Sequence, residues 1–226
     1  MKYLSHLDLM RLLQRALRRA ALPLDYSHGF NPHPRLSLAA PLPVGITAAA
    51  ELGDIFFSGP VTPEQFVTQL NSLLPAGFRL TGAAEAALED PPPAALVSAA
   101  LYRAVWAGCA PAPAPETLRE ALQRLLSRPE IQVRRRGKGG RAVQSDIRPY
   151  IHRATLLPEK EDLSLHLLLQ AGSNGGVSPF VLLDQLDGLP VIEGGAAVAW
   201  RLHREGLYTG NGENHLSILS CSRGKN

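Results

Sequence analysis

Cysteine is scarce: Cys109 and Cys221 are the only two, far apart and outside any C-x-x-C pair. A disulfide framework, a zinc knuckle and a cysteine-ligated cluster therefore lack support, and neither a metal nor another cofactor is expected. Aromatic residues make up only 6% of the chain, so the core has to be built from aliphatic side chains. Long apolar runs are missing too. No stretch approaches the roughly 18 uncharged apolar residues of a membrane span, and no apolar leader segment follows Met1. The expectation is a cytoplasmic protein without membrane contact.

The excess of one charge is slight as well. Lys and Arg number 23 against 20 acidic residues, a net charge of +3 and a pI of about 9.1. That balance alone does not imply nucleic acid; only the distribution of charge can. What is present is 45% hydrophobic with 19% charged residues, ample for a core and unlike a disordered chain. A length of 226 residues suits two compact domains.

Ser5-His6-Leu7-Asp8 has the form of a capping box and opens a helix. Leu9, Met10, Leu13, Ala16, Leu17 and Ala20 recur at helical spacing, while Arg11, Arg15, Arg18 and Arg19 fall on another face. Pro23, Pro32, Pro34, Pro41 and Pro43, with Gly29 and Gly45, then predict a loop with short extended pieces, residues 36–38 among them. A strand over 51–58, a helix over 62–74 and a strand over 78–81 follow. An Ala- and Pro-rich stretch reads as a linker. Beyond it the pattern predicts a strand at 97–107, a helix at 115–127, a strand at 131–136 and irregular extended chain at 146–157. A strand at 163–170, a short helix at 179–186 and a strand at 196–203 complete the order.

Two successive βαββαβ sets describe an α+β protein of two tandem ferredoxin-like domains with antiparallel sheets, the first lacking its opening strand. The boundaries are residues 1–84 for the N-terminal domain, 85–95 for the linker, 96–210 for the C-terminal domain and 211–226 for a flexible tail.

The run from Tyr3-Leu4-Ser5-His6 to Arg11, then Arg15-Ala16-Leu17-Arg18-Arg19, then Tyr26-Ser27-His28-Gly29-Phe30-Asn31-Pro32-His33-Pro34, resembles the opening signature of the bacterial radical SAM-linked domain family. Pro41-Leu42-Pro43-Val44-Gly45, the basic segment 134–141, Asp146-Ile147-Arg148-Pro149-Tyr150-Ile151 and residues 172–179 resemble that family in the same order. The family has no established activity. The resemblance implies a partner, a cobalamin-binding radical SAM protein, and a topology similar to that of the RAMP-type endoribonucleases that process CRISPR repeat RNA. Family members carry a short basic strand ahead of the Tyr3-Leu4-Ser5-His6 signature, which this chain begins two residues before. The radical SAM cluster motif C-x-x-x-C-x-x-C is absent, so radical chemistry would belong to the partner.

Two segments concentrate positive charge. Lys2, Arg11, Arg15, Arg18, Arg19 and Arg35 face only Asp8 and Asp25 within the first 35 residues. Arginine grips phosphate bidentately and stacks on bases, although such a helix face also serves plain solubility. Beside it, His28-Gly29-Phe30-Asn31-Pro32-His33-Pro34-Arg35 gathers two imidazoles, a ring, an amide and a guanidinium on proline-stiffened chain. Phe30 either plugs the core or stacks on an unpaired base while Asn31 and the histidines read its edge. His6, His28 and His33 are alternatively the acid and base of a metal-independent ribonuclease, since imidazole titrates near neutrality. A three-histidine metal site is the weakest reading, for lack of a neighbouring carboxylate or thiolate.

The second segment holds Arg128, Arg134, Arg135, Arg136, Lys138, Arg141, Arg148 and Arg153 against Glu130 and Asp146. With glycines inside it, it resembles a hairpin tip able to follow a phosphate backbone, or a charged edge that guards a sheet. Asp146 is expected to orient Arg148. Ser173, Asn174, Gly175 and Gly176, ahead of Ser178 and Pro179, form a secondary phosphate candidate or a plain turn.

These residues predict an RNA-binding accessory module that presents both basic segments on a shared surface and delivers tRNA or ribosomal RNA to a radical SAM protein. An endoribonuclease, and a protein–protein adaptor without RNA contact, are the alternatives.

Overall fold

The computed structural model describes residues 3–108, 111–136, 142–158, 163–173, 175–190, 193–211 and 214–217. Within them the chain is mixed α+β, with six α-helices and several sheets. It divides into two compact units, Met1–Val44 with Leu52–Ala95, and Gly45–Glu51 with Leu96–Asn226.

In the first unit, α1 (His6–Arg19) opens on the capping box: the Asp8 N–H donates to Ser5 Oγ at 3.2 Å and the Asp8 carboxylate accepts the Ser5 N–H at 3.4 Å. Its buried residues Ala16 and Leu17 join Ala20, Leu22, Leu24, Phe66 and Leu70 in one core. Two short strands of this unit, β1 (Leu36–Leu38) and β3 (Gly53–Ile55), pair antiparallel, while β2 (Ile46–Ala48) between them belongs to the second unit. Thr62 caps α2 (Pro63–Asn71), and Phe66 on α2 meets Phe57 edge to face at 5.5 Å.

The strand expected at 78–81 does not form. The Asn71 side chain occupies the Leu80 backbone instead, donating to its carbonyl at 2.9 Å and accepting its N–H at 2.8 Å. One amide thus replaces the ladder that a neighbouring strand would supply. A short helix, α3 (Pro93–Leu96), falls in the Ala- and Pro-rich stretch.

The second unit contains β4 (Ala99–Trp106), α4 (Pro115–Leu126), β5 (Gln132–Arg136), β6 (Ala142–Asp146), β7 (Ile151–Pro158), β8 (Leu163–Gln170), α5 (Pro179–Leu183), α6 (Ala196–Ala199), β9 (Trp200–Asn211) and β10 (Asn214–Ser217). Its main sheet runs β10-β9-β4-β8-β7, antiparallel throughout, with β2 added parallel to β9. Strand alternation turns Tyr102, Ala104, Leu165, Leu167, Leu169 and Leu202 inward, and all six are buried. Leu118, Ala121, Leu122 and Leu125 form the buried stripe of α4.

Four expectations change here. Residues 131–136 do not join the main sheet, because β5 pairs only with β6 in a separate hairpin. Residues 146–157, expected as irregular chain, supply the sheet strand β7 directly after a 3-10 turn at Arg148–Tyr150. Pro149 stands in that turn rather than in the strand, where a missing donor would break the ladder. Finally, residues 196–199 are helical: the Asp184 carboxylate accepts the Ala196 N–H at 2.7 Å, and the strand starts at Trp200. Residues 214–217, expected in the tail, add β10 to β9.

One charged pair lies inside the second unit. Arg204 on β9 is 1% exposed; its Nε donates to Glu51 Oε1 at 2.8 Å and its Nη2 to Glu51 Oε2. The Tyr102 hydroxyl is also hydrogen-bonded to Arg204. Burial works against the guanidinium charge, but the Glu51 carboxylate outweighs it and holds Arg204 more basic than usual. Burial likewise pushes the Tyr102 phenol up, with Arg204 opposing. Removing one partner of such a pair strands the other in a poor medium, so Glu51→Ala is expected to cost about 3 kcal/mol in urea unfolding. Adding Arg204→Met to that variant should recover part of the loss. A cost below about 1 kcal/mol, the scale of an exposed ion pair, would show that the pair does not hold β2 in the sheet.

Candidate nucleic-acid interface

The loop after α1 is a narrow hairpin. Tyr26 bridges Pro34, the Ser27 N–H donates to the His33 carbonyl at 2.9 Å, and the Arg35 N–H donates to the Asp25 carbonyl at 2.9 Å. Its root is fixed by Arg35, which ion-pairs with Asp25 and lies 4.3 Å over the Phe56 ring. Its far side is held by Arg18, whose guanidinium donates to the Pro32 carbonyl at 3.4 Å.

His33 is oriented inside this hairpin. Its Nδ1 lies 2.9 Å from Ser27 Oγ and 3.3 Å from the Asn31 carbonyl, while its backbone N–H donates to Ser27 Oγ at 3.2 Å. At the tip Phe30 is fully exposed, so it does not plug the core. The preceding Gly29 has φ +129°, a conformation that L side chains rarely adopt, and a Cβ there would meet nothing within 4 Å. The turn therefore needs glycine for its backbone, and it carries the ring out into solvent. His28 and Asn31 are exposed beside it.

The arginines of α1 divide by what they touch. Arg11 pairs with Asp8 at 3.7 Å on the surface, an arrangement of small energetic value. Arg18 braces the loop. Arg15 and Arg19 are exposed and make no ion pair with another described residue. His6 sits in the first turn, half-buried. Among the described residues no three His, Cys, Asp or Glu side chains gather as a metal site, so His6, His28 and His33 do not form one.

The hairpin β5–β6 carries the second basic segment, with Arg134 opposite Gln144 and Arg135 opposite Val143. Alternation sends Val133 and Arg135 to one side, where Val133 is buried, and leaves Arg134 exposed on the other. Arg135 is bound into the unit: its Nη1 donates to the Gly176 carbonyl at 3.2 Å and its guanidinium stands 6.0 Å from the Tyr150 ring. Arg136 pairs with Ala142 in the ladder. Lys138 and Arg141 lie outside the described residues, as does Asn174.

Asp146 closes the base of the hairpin, accepting the Ile131 N–H at 2.7 Å and the Arg148 N–H at 3.0 Å through Oδ1. It thus fixes the Arg148 backbone, and the Arg148 side chain turns to the Ile151 carbonyl at 3.4 Å. Arg128 is bridged to Asp187, whereas Arg153 is exposed on β7.

The glycines of the 172–176 turn have packing reasons. A Cβ on Gly172 would stand 2.2 Å from the Val97 carbonyl oxygen, and one on Gly176 2.4 Å from that of Gln170. Ser173 is exposed beside Gly175, and Ser178 caps α5 without a side-chain hydrogen bond.

The sequence reading missed His166, His203, Arg103 and Glu205, which the main sheet brings together. His203 Nδ1 lies 2.8 Å from Thr47 Oγ1, and Glu205 stands 3.5 Å from Arg103 Nε and 3.6 Å from His166 Nδ1. Their only sequence signal was polar alternation within strands, which any half-solvated sheet shows.

A family model described as an uncharacterized protein conserved in bacteria (DUF2344) matches residues 1–179. The chain belongs to that family. No curated protein matches it. No helix among the described residues is long and apolar enough to cross a membrane.

Two outcomes test the loop and the helix beneath it. Because Phe30 is fully exposed, Phe30→Ala is expected to change unfolding free energy by less than about 0.5 kcal/mol; a larger loss would return the ring to a structural role. The Asp8 carboxyl is held below its usual range by the Ser5 side chain first and the Ser5 backbone second. Its contribution is complete above the ordinary carboxylate value of about 4 and fades as pH falls through the lower folded value. Amide exchange in the first turn of α1 should accelerate there in the parent chain, and already at neutral pH in Ser5→Ala.

Proposed function

We propose that the chain is an RNA-binding accessory module that works with a cobalamin-binding radical SAM protein in the modification or processing of tRNA or ribosomal RNA. The observation that carries this reading is the fully exposed Phe30 on a loop braced by Arg18 and Arg35. An aromatic ring lifted out of the core, beside an amide and an imidazole, would supply stacking and edge recognition, and the exposed Arg15 and Arg19 of α1 phosphate contact. Burying such a ring in a core would stabilise the protein by about 1.5–3 kcal/mol, which this loop forgoes.

The hairpin adds a second phosphate contact through Arg134, Arg136, Lys138 and Arg141. Arg135 belongs to the fold rather than to the ligand in this reading. The strand order β9-β4-β8-β7, with α4 between β4 and β7 and the short helices between β8 and β9, is that of a ferredoxin-like sheet and supports the tandem ferredoxin-like interpretation for the second unit. The radical SAM partner and the likeness to RAMP-type endoribonucleases rest on the sequence resemblance.

An endoribonuclease is favoured by one observation, the held His33 ring. Serine and carbonyl contacts fix its Nδ1 side, as a positioned acid or base requires. His28 or His6 would be its counterpart. The adaptor alternative draws on the exposed Tyr3 and Leu7.

The test is binding of total cellular RNA to the full chain at two salt concentrations. Two variants accompany it: Phe30→Ala, and Arg134, Arg136, Lys138 and Arg141 changed together to Ala, with Arg135 left in place. Salt-sensitive retention is expected, falling at least about tenfold in the four-residue variant, since removing each phosphate-binding side chain also lowers the salt slope by about 1. RNA cleavage abolished by His33→Ala with binding intact would replace this reading with the nuclease. Absence of retention at low salt would replace it with the adaptor.

A further inference from the structure

The main sheet of the second unit has one buried face, and an opposite face that mixes polar side chains with buried Ser164 and Leu168. The pairing register aligns Thr47 with His203, His203 with Arg103, Arg103 with His166 and His166 with Thr155. These five residues form a single row across β2, β9, β4, β8 and β7, and directly opposed residues share a face. At the usual interstrand spacing the row is roughly 19 Å long. Arg201 lies two positions from His203 and Arg153 two from Thr155, so both stand on the same face, and both are exposed.

Arg103 stands directly between two imidazoles in this row. One acid offsets it: a register shift between Leu101 and Tyr102 marks a bulge, and Glu205 comes within 3.5 Å of Arg103 and 3.6 Å of His166. Bulges concentrate beside functional sites, where they re-aim a side chain. Among the described residues the face carries Arg103, Arg153, Arg201, His166 and His203 with Glu205 as their carboxylate neighbour. Arg103 and Glu205 remain partly open to solvent, at 37% and 30%, whereas the Nε2 of His166 is buried.

We infer that this row is a phosphate-binding site on the sheet of the second unit, with Arg103 at its centre and His203 as a flanking donor, while His166 reports on the site through Glu205. Its ligand is the backbone of a single-stranded RNA crossing the sheet. The inference rests on the RNA-binding reading and assigns to it a surface separate from the Phe30 loop and the β5–β6 hairpin. Glu205 competes with the incoming phosphate for Arg103 and sets the affinity.

The experiment titrates the full chain with a single-stranded oligouridylate of about 12 nucleotides, following the His203 and His166 ring resonances and the dissociation constant. Parent, Arg103→Gln and Glu205→Gln chains are compared, with unfolding midpoints confirming that each is folded. Both histidine signals are expected to move on titration. Arg103→Gln is expected to weaken binding roughly tenfold, and Glu205→Gln to strengthen it roughly threefold. Inorganic phosphate, titrated alone, is expected to move the same two resonances. Oligouridylate binding with silent histidines and no effect of Arg103→Gln would overturn this site while leaving the loop and hairpin as the RNA surface. Weaker rather than tighter binding in Glu205→Gln would overturn the competitive role of the acid. Failure of the parent chain to bind any oligouridylate or total RNA would overturn the RNA reading itself, and this site with it.

Discussion

The ion pair between Arg204 and Glu51 constrains the second unit more than any other interaction described in it. A guanidinium that is 1% exposed has lost its water, and the two oxygens of Glu51 and the Tyr102 hydroxyl are among the groups that replace it. The carboxylate therefore has to arrive at the same place every time the chain folds. Because Glu51 ends the Gly45–Glu51 segment, that requirement fixes β2 beside β9, and the Ala49 N–H donates to the Arg204 carbonyl at 3.0 Å. The chain on either side of this segment belongs to the first unit. A buried charge pair contributes little net stability compared with apolar side chains of the same volume. Its effect here is on register, since a one-residue slip of β2 would turn the Glu51 side of the segment away from Arg204.

The same accounting of partners sorts the arginines, and it reverses part of what their clustering implies. Arg35, Arg128 and Arg135 belong to basic clusters in the sequence, yet each is committed to the fold through Asp25, Asp187 or the Gly176 carbonyl. Arg15, Arg19 and Arg134 keep their charge in solvent. A cluster in sequence is thus a poor proxy for a surface in space. Arg103, Arg153 and Arg201 lie about 50 residues apart along the chain and still share one face, because sheet pairing rather than chain proximity brings them together.

Local chemistry was the legible part of the fold. The capping box at Ser5, the Thr62 cap, the stripe of α4 and the alternation of β8 all express interactions within a few residues of one another, so a single sequence contains them. What was not legible depended on distant partners. β2 is three residues long and exists because β9 offers it an edge. The Phe78–Thr81 stretch has strand composition but finds the Asn71 amide instead of a strand. β7 hid behind Pro149, whose position in a turn one residue before the ladder cannot be told from a position inside it. The site followed the same rule: the Phe30 loop announced itself through glycine, prolines and polar residues in sequence, whereas the Arg103 row gave only the alternation common to all half-exposed strands.

The two kinds of polar surface also differ in what they ask of a ligand. The loop holds its ring in solvent at the end of a narrow hairpin braced by Arg18 and Arg35. The side chains of the sheet row stand on five paired strands. Rigid donors at set spacing favour a regular feature of a ligand, and the regular feature of a nucleic acid strand is its phosphates; an exposed aromatic ring favours the bases. Under the RNA-binding proposal, the sheet would contact the backbone and the Phe30 loop the bases, because one presents donors on paired strands and the other an exposed ring.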